Sequence, residues 1–329
     1  MDGAKLRELL PGVPIIESPF FDEVIASSNF DAETVRVARE LNEKGFATLR
    51  FPDEDFEVRA ARIVHNLASR FDLASWRRGN WRDGGLRAQD AWSFDDDVRA
   101  LAANQKIIKI LGDVFGRKAW PFQTLNFPVG SQQHFHSDSL HFSSIPERFM
   151  CGVWVALEDV SEDAGPLEYY PGSHKWPIIH NDQIGVRVSG PKGRAMPERY
   201  SQVWAALIEK HGIAPHYFSP RRGDTLIWAA NLLHGGSRQR DPNVTRWSQV
   251  THYFFENCCY FTPVYSDTFI GKLRLRDLVD IATGAKVPNI YIDTNLTKLD
   301  ISYRFARTFR TLQSGAGRWV RDQLRRWQS

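Results

Sequence analysis

Within Gln133-His134-Phe135-His136-Ser137-Asp138, two side chains are spaced for metal chemistry. His136 and Asp138 stand two residues apart, and alternate side chains of an extended segment point the same way, so the pair can grip one ion. A borderline divalent metal that must also bind oxygen takes neutral imidazole and carboxylate on one face and keeps the opposite positions open. His-x-Asp alone is a weak signal, because a histidine-rich loop also reads as solvent-exposed polar chain. A third ligand has to come from elsewhere. Far downstream, the turn at Gly223-Asp224 leads into the apolar run Thr225 to Leu233, which ends in His234 ahead of Gly235 and Gly236. A histidine at a strand end is either a ligand or a capped core residue, and this segment by itself does not choose.

Twelve residues beyond His234 stands Arg246, opening the run Arg246-Trp247-Ser248-Gln249-Val250-Thr251. A buried arginine at a strand start is costly unless it meets an anion, and a dicarboxylate cosubstrate would supply one. Guanidinium pairs bidentately with the distal carboxylate of 2-oxoglutarate; Ser248, two residues on and facing the same way, adds a hydroxyl donor. Beside the turn Asp241-Pro242-Asn243, the same arginine could equally be an ordinary exposed residue. Neither His134 nor His141 has a clean spacing to both His136 and Asp138, so neither is read as a ligand, and one of them is a candidate for ligand support or substrate contact. His174, after Pro171-Gly172-Ser173, reads as a turn residue capping backbone groups. Trp154 reads as barrel core, and Gln123, Thr124 and Asn126 are inward-facing candidates for cosubstrate contact.

These groups need a scaffold, and the chain changes texture to provide it. Helices come first: one from about Asp31 to Lys44, with Asp31 as N-cap and Gly45 as stop, one over roughly Glu57 to Ala74, and a short one around Ile107 to Phe115. Phe46 to Phe51 reads as a strand between the first two. From Trp120 onward short β-rich runs follow, namely FQTLNF, FMCGVWVALEDV, GPLEYYPGS, GDTLIWAANLLHGG and RWSQVTHYFFENC, each bounded by Gly, Pro, Asn or Asp. That pattern suits a sandwich or jelly roll. The long insertion at 175–222 carries Val203, Trp204, Leu207 and Ile208 at helical spacing and has the character of a lid.

At 329 residues with 42% apolar and 25% charged side chains, the chain has ample material for a core. No Pro/Ser-rich linker, fixed-period repeat or low-complexity tract marks a boundary, so a single domain is expected: helical support at 1–118, a core at 119–262 interrupted by the insertion, and an extension at 263–329. A net charge of +3, set against 42 basic and 39 acidic residues, does not argue for nucleic acid. Three cysteines, Cys151, Cys258 and Cys259, are too few for a disulfide framework and favour a reducing compartment. The N-terminal residues lack a basic stretch followed by an apolar run, and no segment reaches the roughly 18 apolar residues that span a bilayer. A cytoplasmic location is expected. Oligomeric state is not encoded legibly.

Taken in order, the motifs resemble the phytanoyl-CoA dioxygenase family, and HSDSLHF at 136–142 also resembles its ectoine hydroxylase branch. The similarity runs from the first helix and Gly-Phe strand to about Phe255, through His136 and Asp138, the segment Gly165 to His174, the Gly223-Asp224 turn, His234-Gly235 and Arg246. The resemblance implies a mainly β protein with flanking helices around a double-stranded β-helix, a cupin-like jelly roll. It further implies Fe(II) ligated by His136, Asp138 and His234, 2-oxoglutarate anchored by Arg246, O2 as oxidant, and decarboxylation to succinate and CO2 coupled to hydroxylation. Family members often carry a serine directly after the glycine that follows the distal histidine; here Gly236 stands there and Ser237 comes one later, so Ser237 and Ser248 both qualify as the hydroxyl that assists Arg246. Halogenating relatives resemble this arrangement but place a small residue at the aspartate position, so Asp138 points to hydroxylation.

The chain's last sixty or so residues lie outside the resemblance. On a helix, Trp319, Val320, Leu324 and Trp327 would share one side and Arg318, Arg321 and Arg325 the other. Such a basic amphipathic helix either packs on the barrel or a neighbouring subunit, or makes peripheral contact with an anionic membrane. Two functional classes follow: an oxygenase acting on a small metabolite, natural product, or glycan- or lipid-linked substrate, and a cupin-like protein that binds a metal or small ligand without redox turnover. Arg246 separates them, because a pure metal-binding module, like a metal-dependent isomerase or hydrolase, has no need of a dicarboxylate anchor.

Overall fold

A computed structural model describes residues 2–79 and 86–296. The basic pattern at 318–327 falls outside the described residues. Among the described residues no helix is long and apolar enough to cross a membrane.

The strands, numbered along the chain, are β1 (Phe46–Arg50), β2 (Ala88–Gln89), β3 (Ala119–Phe127), β4 (Ser143–Ile145), β5 (Met150–Ala156), β6 (Leu167–Tyr169), β7 (His216–Phe218), β8 (Asp224–Ala229), β9 (His234–Gly236), β10 (Ser248–Phe255) and β11 (Cys259–Phe261). Six form an antiparallel sheet in the order β1-β8-β5-β10-β3-β2, and a smaller sheet runs β7-β6-β9. Crossovers between non-consecutive neighbours and two facing sheets make this the expected jelly roll. β5 and β10 are buried along their whole length, which is what a strand central to a sheet covered on both faces requires.

Alternation sorts each strand's residues between the two covers. Cys151, Val153 and Val155 of β5, with Ile227 and Ala229 of β8, join the core beneath the helices. Trp154 and Ala156, with Leu226, Trp228 and Val250, face inward onto Leu167 and Tyr169 of the small sheet. The outer cover includes α1 (Ala32–Lys44), where Asp31 accepts from Thr34 N–H at 2.7 Å and Gly45 ends the helix at φ 86°. The helix expected over Glu57 to Ala74 is two: α2 (Phe56–Ala68) and α3 (Leu73–Arg77), the second restarted by Asp72, which accepts from Ser75 N–H at 2.8 Å. α4 (Gln105–Phe115) begins at Asn104, whose side chain accepts from Lys106 and Ile107 N–H.

The insertion contains α5 (Pro197–His211), which buries Tyr200 and Trp204 against Leu140, Tyr170, Leu233 and Val264. Leu140 and Leu233 adjoin Asp138 and His234, so the helix backs the two loops that carry these residues.

Candidate metal centre

Between β3 and β4 the chain runs extended beside β9, and His136 and His234 exchange backbone hydrogen bonds, 2.8 Å from His136 N–H and 3.0 Å from His234 N–H. Directly opposed residues of an antiparallel pair present their side chains on one face, and the two imidazole centroids lie 4.6 Å apart. Ser137 then turns the chain, its hydroxyl donating to Ala230 O at 3.1 Å, and Asp138 opens a short 3-10 turn. One ligand atom each from His136, Asp138 and His234 lies within 4.8 Å of the others.

Hydrogen bonds around the three residues aim their free atoms inward. His136 Nδ1 meets His134 O and His234 Nδ1 meets Leu232 O, each at 3.0 Å. A carbonyl can only accept, so both Nδ1 atoms donate and each Nε2 is the ring atom left for a ligand. These Nε2 atoms stand 3.7 and 3.8 Å from the Asp138 carboxylate. Trp228 Nε1 donates to Asp138 Oδ2 at 2.8 Å, and His252 Nε2 comes to 3.6 Å from the same oxygen, which leaves Oδ1 open.

Burial, reinforced by His234, pushes the His136 imidazole down to about 3, so it is neutral at pH 7. Burial acts on Asp138 in the opposite sense, but the surrounding histidines and the Trp228 donor outweigh it and hold the carboxyl below its ordinary value. The neutral His136 imidazole and an ionised carboxylate, with the His234 ring on the same face, fit a borderline divalent metal such as iron(II), with positions left for further oxygen ligands.

The three residues open onto a cavity of about 460 Å³. Arg246 lines it and is only 1% exposed. Its Nη1 donates to Gly165 O at 2.8 Å, Nε has no partner, and among the described residues no carboxylate lies within 4.0 Å. Burial pulls the guanidinium down to about 10, which still leaves it charged at neutral pH. A buried guanidinium turned into a cavity without a counter-ion calls for an anion there. The exposed alternative for this arginine is ruled out. It precedes β10 rather than opening it, its N–H donating to Pro128 O at 2.9 Å.

The accessory residues divide. Ser248 shares the inner face of β10 with Val250 and His252; its hydroxyl is buried without a partner, although the residue does not reach the cavity wall. Ser237 turns away from the cavity and donates to Pro166 O at 2.9 Å. Thr124 also faces away, contrary to the inward expectation: Gln123, Leu125 and Phe127 are the cavity-lining residues of β3, so alternation puts Thr124 and Asn126 on the helix side, where Asn126 meets Gln249 Oε1. Trp154 belongs to the core and lines the cavity as well. His141 lines the cavity, while His174 is buried elsewhere, its Nε2 3.1 Å from Asn42 O.

Sequence reasoning passed over Trp228, His252 and Arg276. His252 was open to discovery, since it repeats the inward parity of Ser248 and Val250. Trp228 reads in sequence as one more apolar strand residue, and Arg276 lies past the recognisable motifs.

The family model described as phytanoyl-CoA dioxygenase (PhyH) matches residues 50–246. A protein of Caenorhabditis elegans described as a probable phytanoyl-CoA dioxygenase is 25% identical over 270 residues, covering 76% of this chain and 79% of that one. Among solved structures, the non-haem α-ketoglutarate-dependent carbocyclase SnoK of nogalamycin biosynthesis superposes with a TM-score of 0.53 at 16% identity, over 77% of this chain and 94% of its own. EctD from S. alaskensis, with 2-oxoglutarate and 5-hydroxyectoine, gives 0.51 at 17% identity over 73% and 83%. At such identities these two likenesses speak for the fold alone.

Proposed function

The chain belongs to the phytanoyl-CoA dioxygenase family, as a non-haem iron, 2-oxoglutarate-dependent dioxygenase, and we propose that it hydroxylates an unactivated C–H bond of a small-molecule, natural-product, or glycan- or lipid-linked substrate. In this reading His136, Asp138 and His234 hold iron(II), and Arg246 receives the distal carboxylate of 2-oxoglutarate. The observation that carries it is the Arg246 guanidinium, buried without a counter-ion on the cavity that the triad opens into. A barrel that only bound a metal would gain nothing from that desolvated charge.

Bound there, iron(II), 2-oxoglutarate and O2 supply oxidative decarboxylation to succinate and CO2, with oxygen delivered to substrate. The protein's part is positional. His134 O and Leu232 O orient the two imidazoles, Trp228 orients Asp138, and Leu167 and Trp154 line the cavity with apolar surface.

Anaerobic titration with iron(II) and 2-oxoglutarate tests the proposal. A metal-to-ligand charge-transfer band is expected in the wild type and not in His136→Ala. Its absence from the wild type would refute the reading. Succinate release, screened over candidate substrates, then identifies what is oxidised.

A further inference from the structure

The cavity carries a second, half-buried basic group to which neither the triad nor the cosubstrate gives a task. Arg276 follows the last strand of the barrel and lies outside residues 50–246, so family membership assigns it nothing. Its N–H donates to Tyr260 O at 2.9 Å and its Nη1 to Thr262 Oγ1 at 3.1 Å, which fixes the side chain on the cavity wall. The guanidinium carbon sits 4.8 Å from the centroid of the Phe142 ring. Nε is buried without a hydrogen-bond partner, and among the described residues no carboxylate comes within 4.0 Å of the group. Asp90 is the acid whose field reaches it, but that carboxylate already accepts from Thr124 N–H and Trp92 Nε1, both at 3.2 Å.

Two relationships place Arg276 beside the reacting centre. Phe142, over whose ring the guanidinium sits, lies 5.0 Å from the His252 ring, and all three line the same cavity. The balance of charge on the wall points the same way. Among the described residues, Arg87, Arg246 and Arg276 face Asp138 as the one acid on the wall. A metal dication and a 2-oxoglutarate dianion cancel, and Asp138 offsets one arginine, so two cationic groups are left facing the space the substrate must enter.

We propose that the substrate carries an anionic group, a carboxylate or a phosphate or sulfate ester, and that Arg276 binds it with the Thr262 hydroxyl alongside. Arg87, exposed at the rim, draws the anion in. A neutral substrate would leave the buried Arg276 Nε without a partner, and a cationic one would be repelled. The assignment rests on the dioxygenase reading for the identity of the remaining cavity.

The test uses full-length protein loaded with Zn(II) and saturating 2-oxoglutarate, so that the Arg246 position is filled and no turnover occurs. Benzoate, phenyl phosphate and neutral benzamide are titrated in, with binding followed by saturation-transfer NMR. At least one anion is expected to bind ten-fold or more tightly than benzamide. Arg276→Gln should lose that preference, Arg276→Lys should keep part of it, and benzamide should bind all three proteins alike. The preferred anion tells a carboxylate from a phosphate source. Equal binding of benzamide and the anions, anion binding unchanged in Arg276→Gln, or no saturable binding of either anion would overturn the assignment. The iron(II)/2-oxoglutarate band, recorded on the same proteins, separates the two ideas. A band missing from the wild type counts against the dioxygenase reading, whereas a band intact in Arg276→Gln alongside lost anion preference supports the anion site.

Discussion

Gly152 stands directly across from Trp228 in the β5–β8 register, and a Cβ on Gly152 would overlap the indole ring. The same glycine faces His252 on its other side. Its bare Cα therefore makes room for the indole, which donates to the Asp138 Oδ2 that His252 also approaches.

Two substitutions follow from that relationship. Trp228→Phe keeps most of the packing and deletes the donor, so metal affinity should fall about 10- to 100-fold, as is usual when a ligand's orienting partner is removed. Gly152→Ala should be worse, because the indole must leave its place; folding stability should drop by about 1–3 kcal/mol in addition. Cobalt(II) titration and denaturant unfolding measure the two effects. Wild-type metal affinity in both variants would show that Trp228 does not position Asp138.

Arg246→Met should separate cosubstrate from metal. Losing one member of a buried, hydrogen-bonded charge pair costs about 2–5 kcal/mol, which is about 30-fold or more in 2-oxoglutarate affinity. Metal affinity should not change, since the residue touches none of the three candidate ligands. Thermal unfolding gives a clean readout: 2-oxoglutarate at 100 times the wild-type Kd stabilises the wild type by about 2.7 kcal/mol, and should stabilise the variant by no more than about 0.9 kcal/mol.

The contrast between Gln123 and Thr124 shows where sequence stops being informative. Alternation along β3 was readable, but which phase faces the cavity depends on pairing with β10, whose register shifts between His252 and Tyr253. Nothing local announces that irregularity. His136, Asp138, His234 and Arg246 were legible for the opposite reason: ligand spacing, chain order and the residue types themselves carry the chemistry. Asp31 and Gly45 were legible as helix ends because capping is a local interaction. Trp228, by contrast, takes its role from a partner 90 residues away that only the folded sheets bring within 2.8 Å.

His174 predicts a pH dependence of stability. Burial, outweighing the bond to Asn42 O, pushes this imidazole down to about 4, against 6.5 when unfolded. Between those values the unfolded chain binds a proton that the folded chain refuses. The stability it contributes is complete above pH 6.5 and is lost as pH falls toward 4, by at most about 3 kcal/mol. Denaturant unfolding of the wild type and His174→Gln across this window should differ in slope by up to one proton, whatever the offset between them. Parallel curves would contradict the buried, neutral histidine.

Asp267 ties the insertion to the segment that forms the cavity mouth. Its carboxylate accepts from Val188 N–H at 3.1 Å, from Ser189 N–H at 2.8 Å and from the Ser189 hydroxyl. Thr262 and Tyr265, just upstream, line the cavity. Asn181 makes a separate attachment, donating to Pro263 O at 3.1 Å and to Ser266 O at 2.6 Å. Asp267→Ala should therefore loosen residues near 188 while the root of the insertion holds. Arg187, Lys192 and Arg194 make that stretch cleavable by trypsin. Removing charge-assisted bonds of about 1.5–3 kcal/mol each should raise the open population, and hence the cleavage rate, at least about 10-fold where opening is faster than cleavage. Mass spectrometry of early fragments reads the site, and the iron(II)/2-oxoglutarate band of the uncut variant should match the wild type. Cleavage no faster than in the wild type would mean that Asp267 does not hold the insertion down.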